Sequence, residues 1–323
     1  MRAVAVYRHG GPEVLTPTQW AAPVAGPGQV LIDVAAIGIN YHETYERSGL
    51  YPRELPYVPG RELAGTVAAA GTGVTGLSAG DLVATADVPV PGGYAEQVVL
   101  PADRVVRVPE GVSAEQAAAV LLQGLTAHVL VQDSHPVREG ETALVHAAAG
   151  GVGLLLTQVL RSRGVRVIGT VSTAEKEAAA RRAGAHEVIR YTEVDFAPEV
   201  GRLTGGEGVH VVYDAVGATT FEGSIASLRP RGTFVLYGQS SGTIPPLDLS
   251  TGVRGSVKLT RPFLPDFIAD PGELQARGAA VFSWITRDGL DVHIERCYPL
   301  AEAGAAQADL QQRRTIGKLL LAP

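Results

Sequence analysis

The sequence predicts an α/β protein in which a β-rich first part precedes a doubly wound parallel sheet. Residues 1–112 combine glycines and prolines with short apolar runs, whereas strands and helices alternate from about residue 140 to 260. Alternation at this spacing is typical of right-handed βαβ units, which build a parallel sheet with helices on both faces. A length of 323 residues also favours two domains over one.

The first part is predicted to be an all-β domain, a partly closed barrel of short strands separated by turn-forming residues. Its strands are expected at residues 3–7, 29–39, 63–69, 81–86, 94–100 and 105–108. Ser113 and Gln116 then have the spacing of a capping box, which opens a helix rich in Ala and Leu.

The second part is predicted to contain six strands and the helices between them. The strands are expected at residues 143–147, 165–171, 187–191, 209–215, 233–237 and 256–260, and the helices near 152–163, 174–183, 195–203 and 219–227. Residues 266–287 are expected to form one more helix. Residues 318–321 are expected to form a final strand that returns to the first domain.

The run TALVHAAAGGVGLLLTQVL at residues 142–160 reads as a buried strand, a turn with few side-chain atoms and a helix. Such a turn lets main-chain N–H groups and the positive end of the helix dipole approach a pyrophosphate. Ala148 stands where the G-x-G-x-x-G motif has its first glycine, and Gly150 and Gly153 fill the other two positions. The strand before, the helix after and a second strand further on favour a dinucleotide site. The alternative is an ordinary strand–helix corner rich in Ala and Gly.

The end of the second strand indicates which nicotinamide cofactor is used. A carboxylate there selects NAD by binding the ribose 2′-hydroxyl. Here the strand ends GTVST at residues 169–173, and Ser172, Lys176 and Tyr191 bring a hydroxyl, an ammonium group and a phenol to this edge. These groups suit a 2′-phosphate and therefore NADPH. The alternative for Lys176 is a solvated position beside Glu175 and Glu177.

Composition and charge exclude several classes of partner. A net charge of −6 gives no reason to expect a nucleic acid or an anionic membrane. No window of about 18 uncharged apolar residues is present, and the N-terminus is too short and polar for a secretory signal. The single cysteine, Cys297, excludes an intramolecular disulfide, favours a reducing compartment such as the cytoplasm, and is expected to be a buried structural thiol.

Several segments resemble the medium-chain dehydrogenase/reductase superfamily, and the match is to its zinc-free, zeta-crystallin-like quinone oxidoreductase branch. They are GIN at 38–40, TYERSGLY at 44–51, QGLTAH at 123–128, HAAAGGVG at 146–153, VYDAVG at 212–217, GQSSG at 238–242, TRP at 260–262 and RRTIG at 313–317. Together they span almost the whole chain.

The resemblance implies a GroES-like β-barrel catalytic domain at residues 1–122 and 263–323 and a Rossmann NADPH-binding domain at residues 123–262. It also implies a homodimer joined by sheet edges near residues 233–238. The implied activity is hydride transfer from NADPH to a quinone. Two alternatives stay open: an enone or enoyl-thioester double-bond reductase, and a crystallin-like protein that binds NADPH without turnover.

The resemblance also implies site residues, carried over position by position. Asn40, Tyr45 and Tyr51 would flank the nicotinamide and the substrate as catalytic residues. The implied cofactor-binding residues are Asn40, Thr126, Ala149, Gly150, Gly151, Val152, Gly153, Gly169, Ser172, Lys176, Tyr191, Tyr237, Gly238, Ser240, Arg261 and Arg313. Arg314 remains an alternative to Arg313.

No metal is expected, because Asn40 stands where zinc-dependent members have their first ligand cysteine and Arg61 stands where they have a histidine. A guanidinium is always protonated and cannot bind a metal. The acceptor must therefore be electrophilic by itself, with negative charge developing on oxygen. The Asn40 amide and a tyrosine hydroxyl could each stabilise that charge by roughly 1–3 kcal/mol. The alternative for Tyr45 and Tyr51 is an aromatic wall that only packs.

Three further expectations concern charged side chains. His146 is expected to hydrogen-bond the backbone inside the sheet rather than act as a base. His42 lies near Asn40, with a surface-loop position as its alternative. Arg61 and Glu62 are expected to form an interdomain or loop-fixing ion pair rather than a catalytic dyad.

Overall fold

The computed structural model describes residues 1–86, 92–247 and 255–323. The chain forms two compact units. Unit 1 comprises Met1–Leu125 and Pro265–Pro323, and unit 2 comprises Thr126–Leu264. Each unit has a β-sheet of its own.

The strands follow the predicted order. They are β1 (Arg2–Val6), β2 (Leu15–Gln19), β3 (Gln29–Gly38), β4 (Glu62–Ala70), β5 (Leu82–Ala86), β6 (Gln97–Pro101), β7 (Val106–Arg107), β8 (Thr142–Val145), β9 (Arg166–Val171), β10 (Glu187–Arg190), β11 (Val209–Asp214), β12 (Leu228–Leu236), β13 (Lys258–Thr260), β14 (Ile294–Pro299) and β15 (Lys318–Ala322). Every predicted strand has a counterpart here, whereas β2 and β14 were not predicted.

The helices are α1 (Tyr41–Ser48), α2 (Ala114–Val129), α3 (Gly151–Ser162), α4 (Ala174–Arg182), α5 (Phe196–Leu203), α6 (Phe221–Ala226), α7 (Leu264–Phe267), α8 (Pro271–Thr286) and α9 (Ala303–Gln311). The four helices predicted between the strands of the second part are confirmed. The capping box is also confirmed, because Ser113 Oγ accepts the Gln116 N–H at 3.1 Å and Gln116 Oε1 accepts the Ser113 N–H at 3.0 Å.

Unit 1 is built on a mixed sheet in which, among the described residues, the strand order is β14-β15-β3-β4-β5-β7, with β6 paired to β3. β1 and β2 form a separate antiparallel pair. The buried side chains of these strands pack into one apolar cluster that includes Val4, Ile32, Leu63, Leu100 and Leu319. The final strand β15 pairs with β3, which confirms that the end of the chain returns to the first domain.

Unit 2 contains a parallel sheet with the order β10-β9-β8-β11-β12-β13. When the six strands of unit 2 are numbered 1 to 6 in chain order, their order across the sheet is 3-2-1-4-5-6. This is the doubly wound arrangement of dinucleotide-binding folds. Leu144, Ile168, Val212 and Phe234 form the buried core between the sheet and its helices.

Two sequence predictions about unit 1 need correction. The helix expected at 266–287 is confirmed over Pro271–Thr286 but begins later than predicted, because Asp270 caps it by accepting the Glu273 N–H and Pro271 occupies its first turn. Cys297 is exposed rather than buried, since β14 is an edge strand and it is the neighbouring Tyr298 that points into the core.

The stretch Ala114–Ser134 is long and apolar enough to cross a membrane by length and composition alone. However, 61% of it is buried within the protein, and a core helix passes the same test. Its apolar character is accounted for by Ala118, Leu121 and Leu125, which are completely or almost completely buried.

Candidate functional site

The strand order of unit 2 places a ligand site at the carboxyl ends of β8 and β11. Connections leave these two neighbouring strands in opposite directions, and ligands of open α/β sheets bind at such a switch point. The turn after β8 begins at Ala147, a non-glycine residue with a φ of 52°. The Gly150 N–H donates to the Ala147 carbonyl at 2.8 Å, and the Ala148 N–H donates to the Thr170 carbonyl at 3.1 Å.

Glycine is required at two positions around this turn because neighbouring atoms leave no room for a Cβ. A Cβ on Gly153 would collide with the Ala147 carbonyl oxygen and lie 2.8 Å from the Ala148 Cα. A Cβ on Gly169 would lie 2.8 Å from the Ala148 Cβ. These contacts hold α3 against the turn, so the glycines set the approach of the helix to the sheet.

The start of α3 is suited to an anion. Gly150 occupies the N-cap position and has no side chain to satisfy the first N–H groups of the helix, and the first turn carries no acidic residue. Unsatisfied N–H groups and the positive end of the helix dipole favour negative charge there. The main chain of Ala149, Gly150, Gly151, Val152 and Gly153 therefore forms a turn that fits a pyrophosphate.

The residues predicted to select NADPH lie at neighbouring positions of unit 2. Ser172 directly follows β9, and its carbonyl accepts the Thr192 hydroxyl at 2.9 Å. The Tyr191 N–H donates to the Val171 carbonyl at 3.1 Å, so Tyr191 lies beside the end of the same strand. Lys176 lies in the first turn of α4, whose N-cap Thr173 accepts the Lys176 N–H.

The loop after β11 is fixed by a buried carboxylate that sequence reasoning missed. Asp214 is completely buried and accepts the N–H groups of Val216 at 2.7 Å and Gly217 at 3.0 Å. It also accepts the Thr220 and Ser224 hydroxyls. The signal was present in the VYDAVG segment, where an Asp directly follows an apolar strand.

Main-chain contacts hold the other predicted cofactor residues of unit 2. The Tyr237 N–H donates to the Asp214 carbonyl at 2.9 Å, and the Ser240 N–H donates to the Ala215 carbonyl at 3.1 Å. A Cβ on Gly238 would lie 2.7 Å from that same Ala215 oxygen. Arg261 directly follows β13 and is exposed, and Thr126 lies on α2.

His146 is buried as predicted, but its partners are not backbone atoms. Its Nδ1 lies 2.9 Å from the Thr170 hydroxyl and its Nε2 lies 2.9 Å from the Ser224 hydroxyl. Burial lowers the pKa of His146, although the negative charge of Asp214 opposes this. The neutral ring therefore links two elements beneath the turn, and the predicted backbone bonds are corrected to side-chain bonds.

On unit 1, the catalytic candidates lie on or next to α1, a helix that the sequence analysis missed. Asn40 is its N-cap, the Glu43 carboxylate accepts the Asn40 N–H at 2.7 Å, and Gly49 ends it in the left-handed conformation. An Asn followed three residues later by Glu, with a glycine beyond, was the available signal. His42 accordingly lies on a helix and not in a loop.

Helix α1 and the segment after it bring four rings together. The ring centroids of Tyr41 and Tyr45 are 5.5 Å apart, and those of Tyr45 and Tyr51 are 5.2 Å apart. The His42 ring meets the Tyr51 ring edge-on at 5.2 Å. Each of these rings is half-buried, so the group presents an aromatic surface of the kind that packs against a planar molecule.

Asn40 belongs to a buried polar network that also contains Glu62 and Lys318. The Lys318 ammonium donates to Asn40 Oδ1 at 2.8 Å and to Glu62 Oε2 at 2.6 Å. The Asn40 amide group donates to Glu62 Oε2 at 2.9 Å. The Leu122 N–H donates to the other oxygen of Glu62 at 2.7 Å. From its place in the sequence, Lys318 was expected only to begin the final strand.

Arg61 does not pair with Glu62, which corrects the expected ion pair. Its Nη2 lies 2.7 Å from Glu46 Oε1, and the His42 Nε2 and the Arg53 Nε each lie 3.6 Å from the same oxygen. Burial raises the pKa of Glu46, but the contacts from His42 and Arg61 outweigh it and lower the pKa to about 2. Arg61 directly precedes β4, and adjacent side chains of an extended segment point to opposite faces, so Arg61 and Glu62 find different partners.

Glu43 is a second buried carboxyl group on α1, and it behaves differently from Glu46. Burial raises the pKa of Glu43 to about 7, although Lys318 and His42 oppose the rise. It accepts the N–H groups of Asn40 at 2.7 Å and Arg61 at 3.3 Å. One helix thus carries one carboxylate held ionised and one carboxyl group that titrates near neutral pH.

Arg313 and Arg314, the two alternatives for a cofactor contact, have different surroundings. Arg313 has a φ of 57°, a conformation that non-glycine residues rarely adopt. Burial raises the pKa of the Tyr41 phenol, and the positive charge of Arg313 opposes that rise, so the two side chains are neighbours. Arg314 instead pairs with Asp309 at 3.5 Å.

Asn40 and Arg61, which stand where zinc-dependent members of the superfamily have ligands, do not fit zinc. The Asn40 amide oxygen faces the Lys318 ammonium, and Arg61 faces Glu46. Within residues 1–86, 92–247 and 255–323, no group of three or more His, Cys, Asp or Glu side chains could hold a metal ion.

The doubly wound sheet and the bare turn at its switch point are features of a dinucleotide-binding fold. Family models agree: the zinc-binding dehydrogenase model matches residues 151–276, and the alcohol dehydrogenase GroES-like domain matches residues 26–110. The chain belongs to the quinone oxidoreductase branch of the medium-chain dehydrogenase/reductase superfamily.

Individual relatives cover nearly the whole chain. A quinone oxidoreductase from Pseudomonas aeruginosa is 43% identical over 317 residues, which are 98% of this chain and 97% of that protein. A 2-haloacrylate reductase from a Burkholderia species is 37% identical over 329 residues, with 99% and 98% covered. The crystal structure of Escherichia coli quinone oxidoreductase complexed with NADPH superposes with a TM-score of 0.96 at 39% identity and covers 100% of both chains.

Proposed function

We propose that this protein is an NADPH-dependent, zinc-independent reductase that transfers a hydride to a quinone. The single observation that carries the zinc-independent chemistry is the bonding of Asn40 and Arg61. Each stands where zinc-dependent members of the superfamily have a zinc ligand, and each is bonded to a charged side chain of its own unit. An acceptor bound here receives no metal activation, so it has to be electrophilic by itself, as a quinone is.

The cofactor is NADPH, which supplies the hydride when bound. The main chain at Ala149, Gly150, Gly151, Val152 and Gly153 fits the pyrophosphate, and Ser172, Lys176 and Tyr191 fit the 2′-phosphate. A charge-assisted hydrogen bond from an ammonium to a phosphate contributes about 1.5–3 kcal/mol, which is enough to separate NADPH from NADH. The other residues proposed to bind the cofactor are Asn40, Thr126, Gly169, Tyr237, Gly238, Ser240, Arg261 and Arg313.

Asn40, Tyr45 and Tyr51 are the proposed catalytic residues. Reduction of a quinone places negative charge on its oxygen, and the amide N–H of Asn40 and a tyrosine hydroxyl donate to that oxygen. The half-buried rings of Tyr45 and Tyr51 pack against the planar acceptor and orient it. Orientation and hydrogen bonding are the main contributions available to a site of this kind.

A second candidate function is reduction of an enone, an enoyl thioester or a related double bond conjugated to a carbonyl. The observation in its favour is the 37% identity to a 2-haloacrylate reductase over nearly the whole chain. The geometry of hydride transfer is the same, because negative charge again develops on a carbonyl oxygen. A third candidate is a crystallin-like protein that binds NADPH without turnover.

The wider organisation is proposed along the same lines. Residues 1–122 and 263–323 form the GroES-like catalytic domain, and residues 123–262 form the NADPH-binding domain. The protein is a cytoplasmic homodimer that binds neither nucleic acid nor membranes. The sheet edge expected near residues 233–238 falls on β12, but among the described residues β12 lies between β11 and β13 and is not an edge. The edge at that end is β13, so the proposed dimer contact is corrected from residues 233–238 to β13. Size-exclusion chromatography with light scattering tests the dimer.

The function is tested by NADPH oxidation at 340 nm with 1,4-benzoquinone, an enone and an enoyl-CoA offered separately. The proposal expects the largest kcat/KM with the quinone. A larger value with either other acceptor supports the second candidate. NADPH binding with no oxidation by any acceptor supports the third.

Tyr51→Phe separates a donating hydroxyl from a packing ring. Loss of one hydrogen bond to the developing charge costs about 1–2 kcal/mol, so kcat with the quinone falls about 5- to 30-fold. Tyr7→Phe, which removes the hydroxyl of an exposed tyrosine, is the control and leaves kcat unchanged. An unchanged kcat in Tyr51→Phe would remove the Tyr51 hydroxyl from the mechanism.

A further inference from the structure

Asn40, Glu62 and Lys318 close a ring of three hydrogen bonds, and the proposed mechanism uses only its Asn40 member. Each side chain bonds the other two, at 2.6, 2.8 and 2.9 Å. All three are buried, with exposed fractions of 6%, 0% and 2%. They come from three different places: the start of α1, the first residue of β4 and the first residue of β15.

The ring allows only one orientation of the Asn40 amide. An ammonium group donates hydrogen bonds and cannot accept them, whereas a carboxylate accepts and cannot donate. The amide oxygen must therefore face Lys318, and the amide NH2 must face Glu62. Turning the amide over would oppose NH2 to the ammonium and oxygen to the carboxylate, and a buried mismatch of this kind is costly.

The same orientation leaves one amide hydrogen for an acceptor. The first hydrogen is held by Glu62 at 2.9 Å, and the second makes only a long contact of 3.4 Å with the Gly38 carbonyl. A bond at this length is weak and is readily exchanged for a better one. The ammonium on the amide oxygen also polarises the group, which strengthens its N–H as a donor.

The main chain keeps the ring in place. The Leu122 N–H holds the second oxygen of Glu62 at 2.7 Å, so this carboxylate cannot rotate without losing a buried bond. A Cβ on Gly38 would collide with the Ala118 carbonyl oxygen and with Glu62 itself, so glycine is needed for Glu62 to lie here. The position of the Glu62 carboxylate is thus fixed by contacts that do not involve the Asn40 amide.

We infer that Lys318 and Glu62 are positioning residues that fix the Asn40 amide with one N–H directed at the oxygen of the reduced acceptor. This inference rests on the proposed function. Neither residue is assigned contact with the substrate, and both act through Asn40. In the proposed site, which has no metal to orient the acceptor, the Asn40 amide held between two charged side chains provides that orientation.

The test uses the full chain with NADPH and 1,4-benzoquinone. Lys318→Met together with Glu62→Gln removes both charges and keeps the volume of both side chains. The amide oxygen introduced by Glu62→Gln stays on the Leu122 N–H, so the new NH2 group faces the ring and the Asn40 amide turns over. The expected result is a fall in kcat of at least about tenfold, with KM for NADPH within about twofold of the unmodified value.

The same two substitutions made in an Asn40→Ala variant show whether they act through the Asn40 amide or by disturbing the structure generally. In Asn40→Ala the amide is already gone, so adding the two substitutions at 318 and 62 lowers kcat by less than about twofold further. Arg2→Met is the control, because Arg2 forms an exposed ion pair with Glu96 at 2.6 Å, and kcat there is unchanged. If the double variant does not fold, Glu62→Gln alone is compared in the same two backgrounds.

Two results overturn the inference: a folded double variant with the original kcat, or an equal fall in kcat with and without the Asn40 amide. Failure of the proposed function gives a different result. The unmodified protein then oxidises NADPH with none of the three acceptors, and the inference falls with the function.

Discussion

The turn after β8 and the start of α1 are both proposed to bind a small molecule, yet they are built in opposite ways. The turn uses main-chain groups, and its critical side chains are absent: Gly153 and Gly169 have no room for a Cβ. Helix α1 and its surroundings contain several buried ionisable side chains, among them Glu43, Glu46 and Lys318. The turn depends on the absence of side chains, whereas the site at α1 depends on contacts between charged side chains.

The difference follows from what each site has to recognise. A pyrophosphate carries its own charge, so N–H groups that approach closely enough are sufficient. A neutral acceptor has no charge to guide it, so the protein must fix the direction of a donor in advance. Substitutions should therefore act differently at the two sites. Adding an atom damages the turn, whereas removing a partner damages α1.

The largest expected effect tests the charged site. Arg61→Met leaves the buried Glu46 carboxylate with only the more distant contacts to His42 and Arg53, and breaking a buried pair costs about 3–5 kcal/mol. Urea unfolding at pH 7 should show this loss, whereas Arg2→Met, at an exposed pair, should cost less than about 1 kcal/mol. Equal losses in the two variants would show that the α1 charges stabilise no more than surface ones.

The next effect distinguishes the two carboxyl groups of α1. The pKa of Glu43 is raised from 4.5 to about 7 in the folded protein, so the folded state binds more protons and stability falls as pH rises through this window. The fall is up to about 3 kcal/mol between pH 4.5 and 7. Glu43→Gln should remove it. Urea unfolding at pH 5 and pH 8 measures the slope, and an identical slope in both proteins would contradict the assignment.

A smaller effect tests the bare turn. Gly153→Ala places a methyl group against the Ala147 carbonyl and the Ala148 Cα, and overpacking of this kind costs about 1–3 kcal/mol. We expect NADPH affinity to fall about 10-fold as the turn shifts. Gly201→Ala is the matched control on α5, where the Cβ meets nothing within 4 Å among the described residues. Its NADPH affinity should be unchanged, and a loss there equal to that of Gly153→Ala would contradict the account.

The last effect is one of cofactor selectivity, and it tests Lys176, the charged side chain that unit 2 contributes to the proposed phosphate site. Lys176→Ala should raise the dissociation constant for NADPH about 10-fold or more and that for NADH less than about twofold. Arg182→Ala removes an exposed cation from the same helix and should change neither. Isothermal titration with both cofactors measures the ratio, and equal weakening of NADPH and NADH would remove Lys176 from the phosphate site.

The two sites also differ in how far sequence could predict them. The turn and its flanking elements were predicted because a strand, a glycine-rich turn and a helix are consecutive, so their geometry is local. Helix α1 was missed although Asn40, Glu43 and Gly49 mark its ends, because its sequence YHETYERS is short and strongly polar. It buries charged residues, and a search for an apolar face passes over such a helix.

The sequence by itself determined the doubly wound sheet, the position of the nucleotide turn and the absence of a zinc-ligand pattern. Each of these follows from residue types at short spacing, where backbone geometry leaves few choices. Only the tertiary structure decided that Glu62 bonds Lys318 rather than Arg61, and that both bond Asn40. Those partners are 256 and 278 residues apart in the chain, and their pairing depends on β15 lying beside β3. No local rule contains that information, since it arises only when distant strands share one sheet.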